Sequence, residues 1–239
     1  MAARLDGPDP GNSPGDGWLL AIHSAWDTVG AALLERGASV ATRQLEGGRA
    51  GILLPAAIRD LLEQAGLQPR ALRRLAVCIG PGSFTGIKVG LATAFGLSRA
   101  LALGVTGVDA LEVLAAQAPD DLAVVALLPA GRSELYLAAY GPVAGSMRPV
   151  LRPPCLLAPQ EARAELQGRV AIHLGCEPLV AESGLAKLLP GDPAGLAETL
   201  GRRALLRPDP GPGPLPGPLY LRRTWAEEAR DKKLAGSGG

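Results

Sequence analysis

Residues 72–104 constrain this chain more than any other stretch. A buried apolar run, LRRLAVCIG, enters GPGSFTGIKVG and continues into helix formers that stop at Gly104. Strand, glycine turn and a helix over 87–103 set an α/β unit in the first half of the chain. The turn, with Gly80, Gly82, Gly86 and Gly90, has the look of a phosphate cradle, because backbone N–H groups at a helix N-terminus favour anions. Neither familiar motif fits. A Walker A turn with Gly86 as its second glycine would have Pro81 in the first place and Ile87 where lysine belongs, and the dinucleotide fingerprint would need glycine at Thr85. Two readings of the loop stand side by side. Pro81 and Gly82 form a tight turn with Ser83 or Thr85 capping the helix, and Gly82, Ser83 and Thr85 are candidate anion contacts.

The helix carries a second pattern. Gly86, Gly90 and Ala94 recur at every fourth residue, with Ser98 extending the row. Such a row lets another element lie close, and glycine inside a helix costs about 1 kcal/mol relative to alanine, so a packing purpose is expected. Two neighbours are open: the chain's own helix at 52–65, or another subunit.

The remaining segments alternate in the same way. WLLAIHS and TVGAALLERG read as a hairpin, with a third strand at 38–44, and ILLPAAIRDLLEQAG is an amphipathic helix ended by Gly66. VTGVDALEVLAAQA gives a strand and a helix with Asp109 as its N-cap. LAVVALLPA and SELYLAAYG form a strand pair, PCLLAPQEARAEL a strand entering a helix, RVAIHLGC a strand, and AGLAETLGRRALL a helix. The order is an α/β layout in two lobes, at 18–108 and 109–225. A Pro/Gly connector occupies 207–218, and PLYLRR after it is a short strand or extended segment. Flexible tails are expected at 1–17 and 226–239. The second lobe is reminiscent of a degenerate copy of the first.

Several chemistries find no support. Three separated cysteines, Cys78, Cys155 and Cys176, form no CxxC pair and fit a reducing compartment. A zinc hydrolase needs clustered ligands, yet the two histidines, His23 and His173, sit far apart at strand ends. Ser83 is not in a nucleophile elbow. No signal peptide or membrane-length apolar run is visible, so a cytoplasmic protein without membrane association is expected. With a formal charge of +1 there is no field to draw the whole chain to nucleic acid. The arginine pairs at 73–74, 202–203 and 222–223 lack interleaved aromatics and read as solvated faces.

GPGSFTGIKVGLATAFGLSRALALGVTGVDALEVLA resembles the signature segment of the TsaB (YeaZ) family, with LLAIHSAWDTVGAALLERG, LLPAAIRDLLEQAGL, GRSELYLAAY and PLYLR matching further family segments. The resemblance covers most of residues 18–223. It implies the actin-like ATPase fold: two ribonuclease-H-like lobes with mixed β-sheets flanked by helices. It also implies a non-catalytic scaffold in threonylcarbamoyl-adenosine formation on tRNA, stabilising a catalytic TsaD-like subunit, with a TsaE-like ATPase as further partner. Contact with tRNA would come through the complex. The alternative is an ATP-binding kinase or ATPase of the same superfamily.

The chain departs from the family pattern at informative places. Ile22-His23-Ser24-Ala25 stands where Ile-Asp-Thr-Ser is usual, Arg49 or Ala50 where a histidine is common, and Pro129-Ala130-Gly131 before Arg132 where Asp-Ala-Arg is usual. An imidazole cannot replace an oxygen ligand for magnesium. No catalytic residue and no metal site is therefore expected, nor a tightly bound cofactor, and any ATP or ADP is expected at the boundary with the partner. The interface is expected on Gly86, Gly90, Ala94 and Leu97 of one helix and Leu54, Ile58 and Leu61 of the other. The same face would serve a homodimer, and Gly90→Leu is expected to abolish pairing while sparing the fold.

Overall fold

The computed structural model describes residues 17–45, 50–131, 133–180, 184–185 and 187–222. Apart from Gly17, the expected tails lie outside the described residues, as do Arg49, Arg132 and Arg223. The first sheet contains β1 (Trp18–His23), β2 (Val29–Glu35), β3 (Ala38–Leu45), β4 (Leu72–Cys78) and β5 (Val105–Val108), in the order β3-β2-β1-β4-β5. The second contains β6 (Val124–Gly131), β7 (Glu134–Tyr140), β8 (Val150–Leu157), β9 (Val170–His173) and β10 (Lys187–Pro190), in the order β10-β9-β6-β7-β8. Counted within each lobe, both orders run third, second, first, fourth, fifth. In both, the first three strands are antiparallel and the last two parallel to the first. The suspected internal copy is thus present in the topology.

The helices are α1 (Ala50–Gln64), α2 (Phe84–Leu101), α3 (Ala110–Ala115), α4 (Pro159–Leu166), α5 (Glu177–Val180) and α6 (Leu196–Leu205). Local chemistry sets several ends. The Ser83 hydroxyl accepts from the Gly86 amide to open α2, and Ala102 closes it at φ +54. The Asp109 carboxylate accepts from the Glu112 amide at 2.7 Å to open α3.

The fifth strand of each half is followed by a helix, and the two helices are exchanged. α3 packs on β6, β7 and β9, whereas α6 returns to β1, β2, β4 and β5. A lobe boundary at 108/109 assigns α6 to the second lobe, and the structure corrects this by closing the first sheet with it. Gly201 makes the approach possible, since a Cβ there would stand 2.4 Å from Leu34 Cδ1. Buried arginines hold the exchange, which corrects their reading as solvated. Arg74 donates to Thr106 Oγ1 and to the carbonyls of Ala204, Arg207 and Pro208. Glu112 on α3 accepts from Arg203 at 3.0 Å and from Arg207 at 2.5 Å.

Two short elements, α5 and β10, carry too weak a pattern to be read from sequence. The segment 218–222, expected as strand or extended chain, forms no strand. Instead the Leu219 amide donates to the Ile79 carbonyl at 2.7 Å.

Candidate functional site at the glycine turn

β4 delivers the chain to the turn at the carboxyl end of the first sheet, where Gly80–Pro81 is cis. The turn packs against the connection between β1 and β2. The Ser83 amide donates to the Ala25 carbonyl at 2.8 Å, and the Ser24 hydroxyl donates to the Gly86 carbonyl at 2.8 Å. A Cβ at Gly82 would stand 1.9 Å from the Ala25 oxygen, one at Gly86 1.9 Å from the Ser24 oxygen, and one at Gly90 2.2 Å from Ser24 Oγ. Here is the packing purpose of the small-residue row. Its occupant is neither of the two neighbours considered, but the β1–β2 turn of the same lobe.

The seven residues expected at a partner interface are placed accordingly. Gly90, Ala94, Leu54, Ile58 and Leu61 are buried within the chain's own core, and Gly86 and Leu97 are half-buried. The inward face of α1 holds Leu54, Ile58 and Leu61 because a helix on a sheet buries its apolar stripe. Gly90→Leu would therefore drive a side chain into Ser24, which corrects its use as a fold-sparing variant.

The other side of α2 carries a second small row, Ala92, Gly96 and Ala100, all exposed, and a Cβ at Gly96 would meet nothing within 4 Å. At the N-terminal end of the same helix Phe84 is 44% exposed, with Lys88 Nζ 3.9 Å above its ring. α1 and α2 both start at the carboxyl ends of parallel strands, so their first turns share one end of the lobe. There α1 exposes Ile52 by 78% and Leu53 by 50%. Sequence reasoning passed over this row, although Gly96 in mid-helix, at a cost of about 1 kcal/mol, is a readable signal.

The candidate anion contacts are brought together, but their donors are partly spent. The Ser83 amide is bonded to Ala25, its hydroxyl caps Gly86, and its carbonyl accepts from Ile87. Ser83 and Thr85 are exposed and Gly82 half-buried.

His23, at the end of β1, is buried, and loss of solvent pulls its pKa down to about 4 against a backbone hydrogen bond to Thr28. A neutral buried imidazole is no ligand for hydrated magnesium, so the residues here do not fit a magnesium–nucleotide site. The cavity beside His23 holds about 50 Å³, room for water rather than a nucleotide. A larger groove of about 430 Å³ lies elsewhere, between Arg99 and Ala102 at the end of α2 and Pro212–Leu215. His173 ends β9 on the second sheet, where its Nδ1 accepts from the Cys176 amide at 3.3 Å and burial lowers its pKa. Loops of the two lobes meet at Gly175, where a Cβ would stand 3.8 Å from the Trp26 ring and 3.9 Å from Pro129.

Residues 52–162 match the family model described as TsaD, tRNA N6-adenosine threonylcarbamoyltransferase. The tRNA threonylcarbamoyladenosine biosynthesis protein TsaB of Bacillus subtilis is 30% identical over 125 residues, which are 51% of this chain and 54% of that protein. The structure of YeaZ from Pseudomonas aeruginosa superposes with a TM-score of 0.64 at 26% identity, covering 77% of this chain and 88% of that one. The chain is thus similar to the TsaB (YeaZ) proteins. A second Pseudomonas aeruginosa structure, described as similar to peptidase YeaZ, has a TM-score of 0.70 at 22% identity and covers 86% of this chain and all of that one. The fold is that of the YeaZ structures, two mixed sheets flanked by helices. The match spans about half the length of the Bacillus subtilis relative. Among the described residues no helix is long and apolar enough to cross a membrane.

Proposed function

We propose that this chain is a non-catalytic scaffold in the formation of threonylcarbamoyl-adenosine on tRNA, and that it docks a TsaD-like catalytic subunit through the outer faces of α1 and α2. The observation that carries the docking surface is the exposed row Ala92, Gly96 and Ala100, continued by exposed Phe84, Ile52 and Leu53. A face with no bulky side chain at Gly96 lets a partner helix approach closely. Water released from the flanking apolar groups would supply affinity.

The name of the Bacillus subtilis relative supplies the pathway, and the match to the TsaD family model supports a partner of related fold. Absence of a carboxylate at His23 supports a scaffold rather than a nucleotide-hydrolysing role. A TsaE-like ATPase is a further partner, tRNA is reached through the assembly, and ATP or ADP, where used, lies at the subunit boundary. Without the catalytic subunit, the same face supports a homodimer.

The test is co-purification with the TsaD-like protein of the same cell, followed by a modification assay with and without this chain. The expected result is a complex, with modification that depends on this chain. Modification at full rate in its absence would overturn the proposal.

A further inference from the structure

We infer that residues Leu219–Arg222 form a strap that fastens the two lobes together beside the glycine turn, so that they move as one body. On the first lobe the Leu219 amide donates to the Ile79 carbonyl at 2.7 Å, directly before the glycine turn. Tyr220 packs on Phe84, with ring centroids 5.0 Å apart and planes tilted by 40°. On the second lobe the Arg222 guanidinium donates to the Gly131 carbonyl at 3.1 Å and pairs with the Glu134 carboxylate. Gly131 ends β6 and Glu134 begins β7, so four residues span from one sheet to the other.

The turns on both sides leave room for the strap. A Cβ at Gly80 would stand 2.9 Å from the Leu219 carbonyl oxygen, and Gly131 adopts φ +74 beneath Arg222. Away from the strap, Glu112 on α3 holds Arg203 on α6 and Arg207 beyond it, joining a helix of the second sheet to one of the first. These two polar ties add to a buried apolar core to which both sheets contribute. An aromatic contact and a part-buried ion pair each contribute modestly, and the strap holds only while both of its ends stay fastened.

The strap concerns the isolated chain and stands or falls independently of the docking proposal. Its test is hydrogen exchange of the full chain by mass spectrometry, comparing wild type with Tyr220→Ala, Arg222→Ala and Arg222→Lys. In both alanine variants, exchange is expected to rise on the order of tenfold in residues 79–83 and in 133–137 together. β3 and α4 should stay unchanged, and Arg222→Lys should recover part of the protection. The reversed pair Glu134→Arg with Arg222→Glu should also recover it, which a loss of local folding would not allow. A rise confined to the lobe that the substituted side chain touches would overturn the strap, as would no rise at all. So would failure of both the lysine and the reversed pair to restore protection.

Discussion

The two lobes share one strand order and differ in what they hang on it. Between the fourth and fifth strands the first lobe carries α2, 18 residues long, whereas the second carries α5, of four residues. Between the third and fourth strands the lengths are 15 residues in α1 and eight in α4. The first lobe carries long helices with exposed outer residues, and the second carries short ones. The glycines follow the same division. Gly82, Gly86 and Gly90 allow the β1–β2 turn to lie directly on α2, while in the second lobe His173 and Cys176 bridge a short loop by a side-chain hydrogen bond. A shared topology therefore does not imply a shared use.

Substitutions can break this comparison at graded cost. Gly90→Leu places a branched side chain where a Cβ already meets Ser24 Oγ at 2.2 Å, and should cost about 4 kcal/mol or abolish folding in urea titrations. Gly96→Leu, six residues on and facing open space, should instead stabilise by about 0.5–1 kcal/mol. Glu112→Ala leaves Arg203 buried without its carboxylate and should cost about 3 kcal/mol, loosening the exchanged helices.

Two buried groups give opposite pH slopes in one window. The pKa of His23 falls from 6.5 to about 4 on folding, so its contribution is lost as pH drops from 6.5 towards 4. Burial raises the Asp109 carboxyl from 3.8 to about 6, so stability is lost as pH rises through that range. Asp109→Asn should therefore expose the acid sensitivity due to His23, and His23→Asn should remove it, as read from denaturation midpoints between pH 4 and 7. At the exposed cap, Ser83→Ala should cost about 1 kcal/mol.

Most of the fold could be read from the chain because its strands are short apolar runs between glycines, and α1 and α2 have clear helical spacing. The direction in which α2 faces could not. Rows 86–90–94 and 92–96–100 are both small and offset by two residues, which is about 200° around the helix. What turns the first row inward is Ser24, sixty-two residues away from Gly86 in sequence. Leu54, Ile58 and Leu61 illustrate the same limit, since an apolar stripe marks a buried face without saying what buries it. The destination of α6 was hidden for a related reason. Its amphipathic pattern requires a sheet, and the choice between two equivalent sheets rests on Gly201 and on Arg74 and Arg203, whose contacts are all distant in sequence. At the candidate site the caps Ser83 and Asp109 were legible because capping is local chemistry.

Docking through the outer row of α2 is the proposed use of the first lobe. It is tested most directly by sedimentation velocity of this chain mixed with the TsaD-like protein of the same cell, comparing wild type with Gly96→Leu. A heterodimer is predicted for wild type, with affinity lowered on the order of a hundredfold in Gly96→Leu while its thermal stability is equal or higher. Equal affinity in the two proteins would contradict the account.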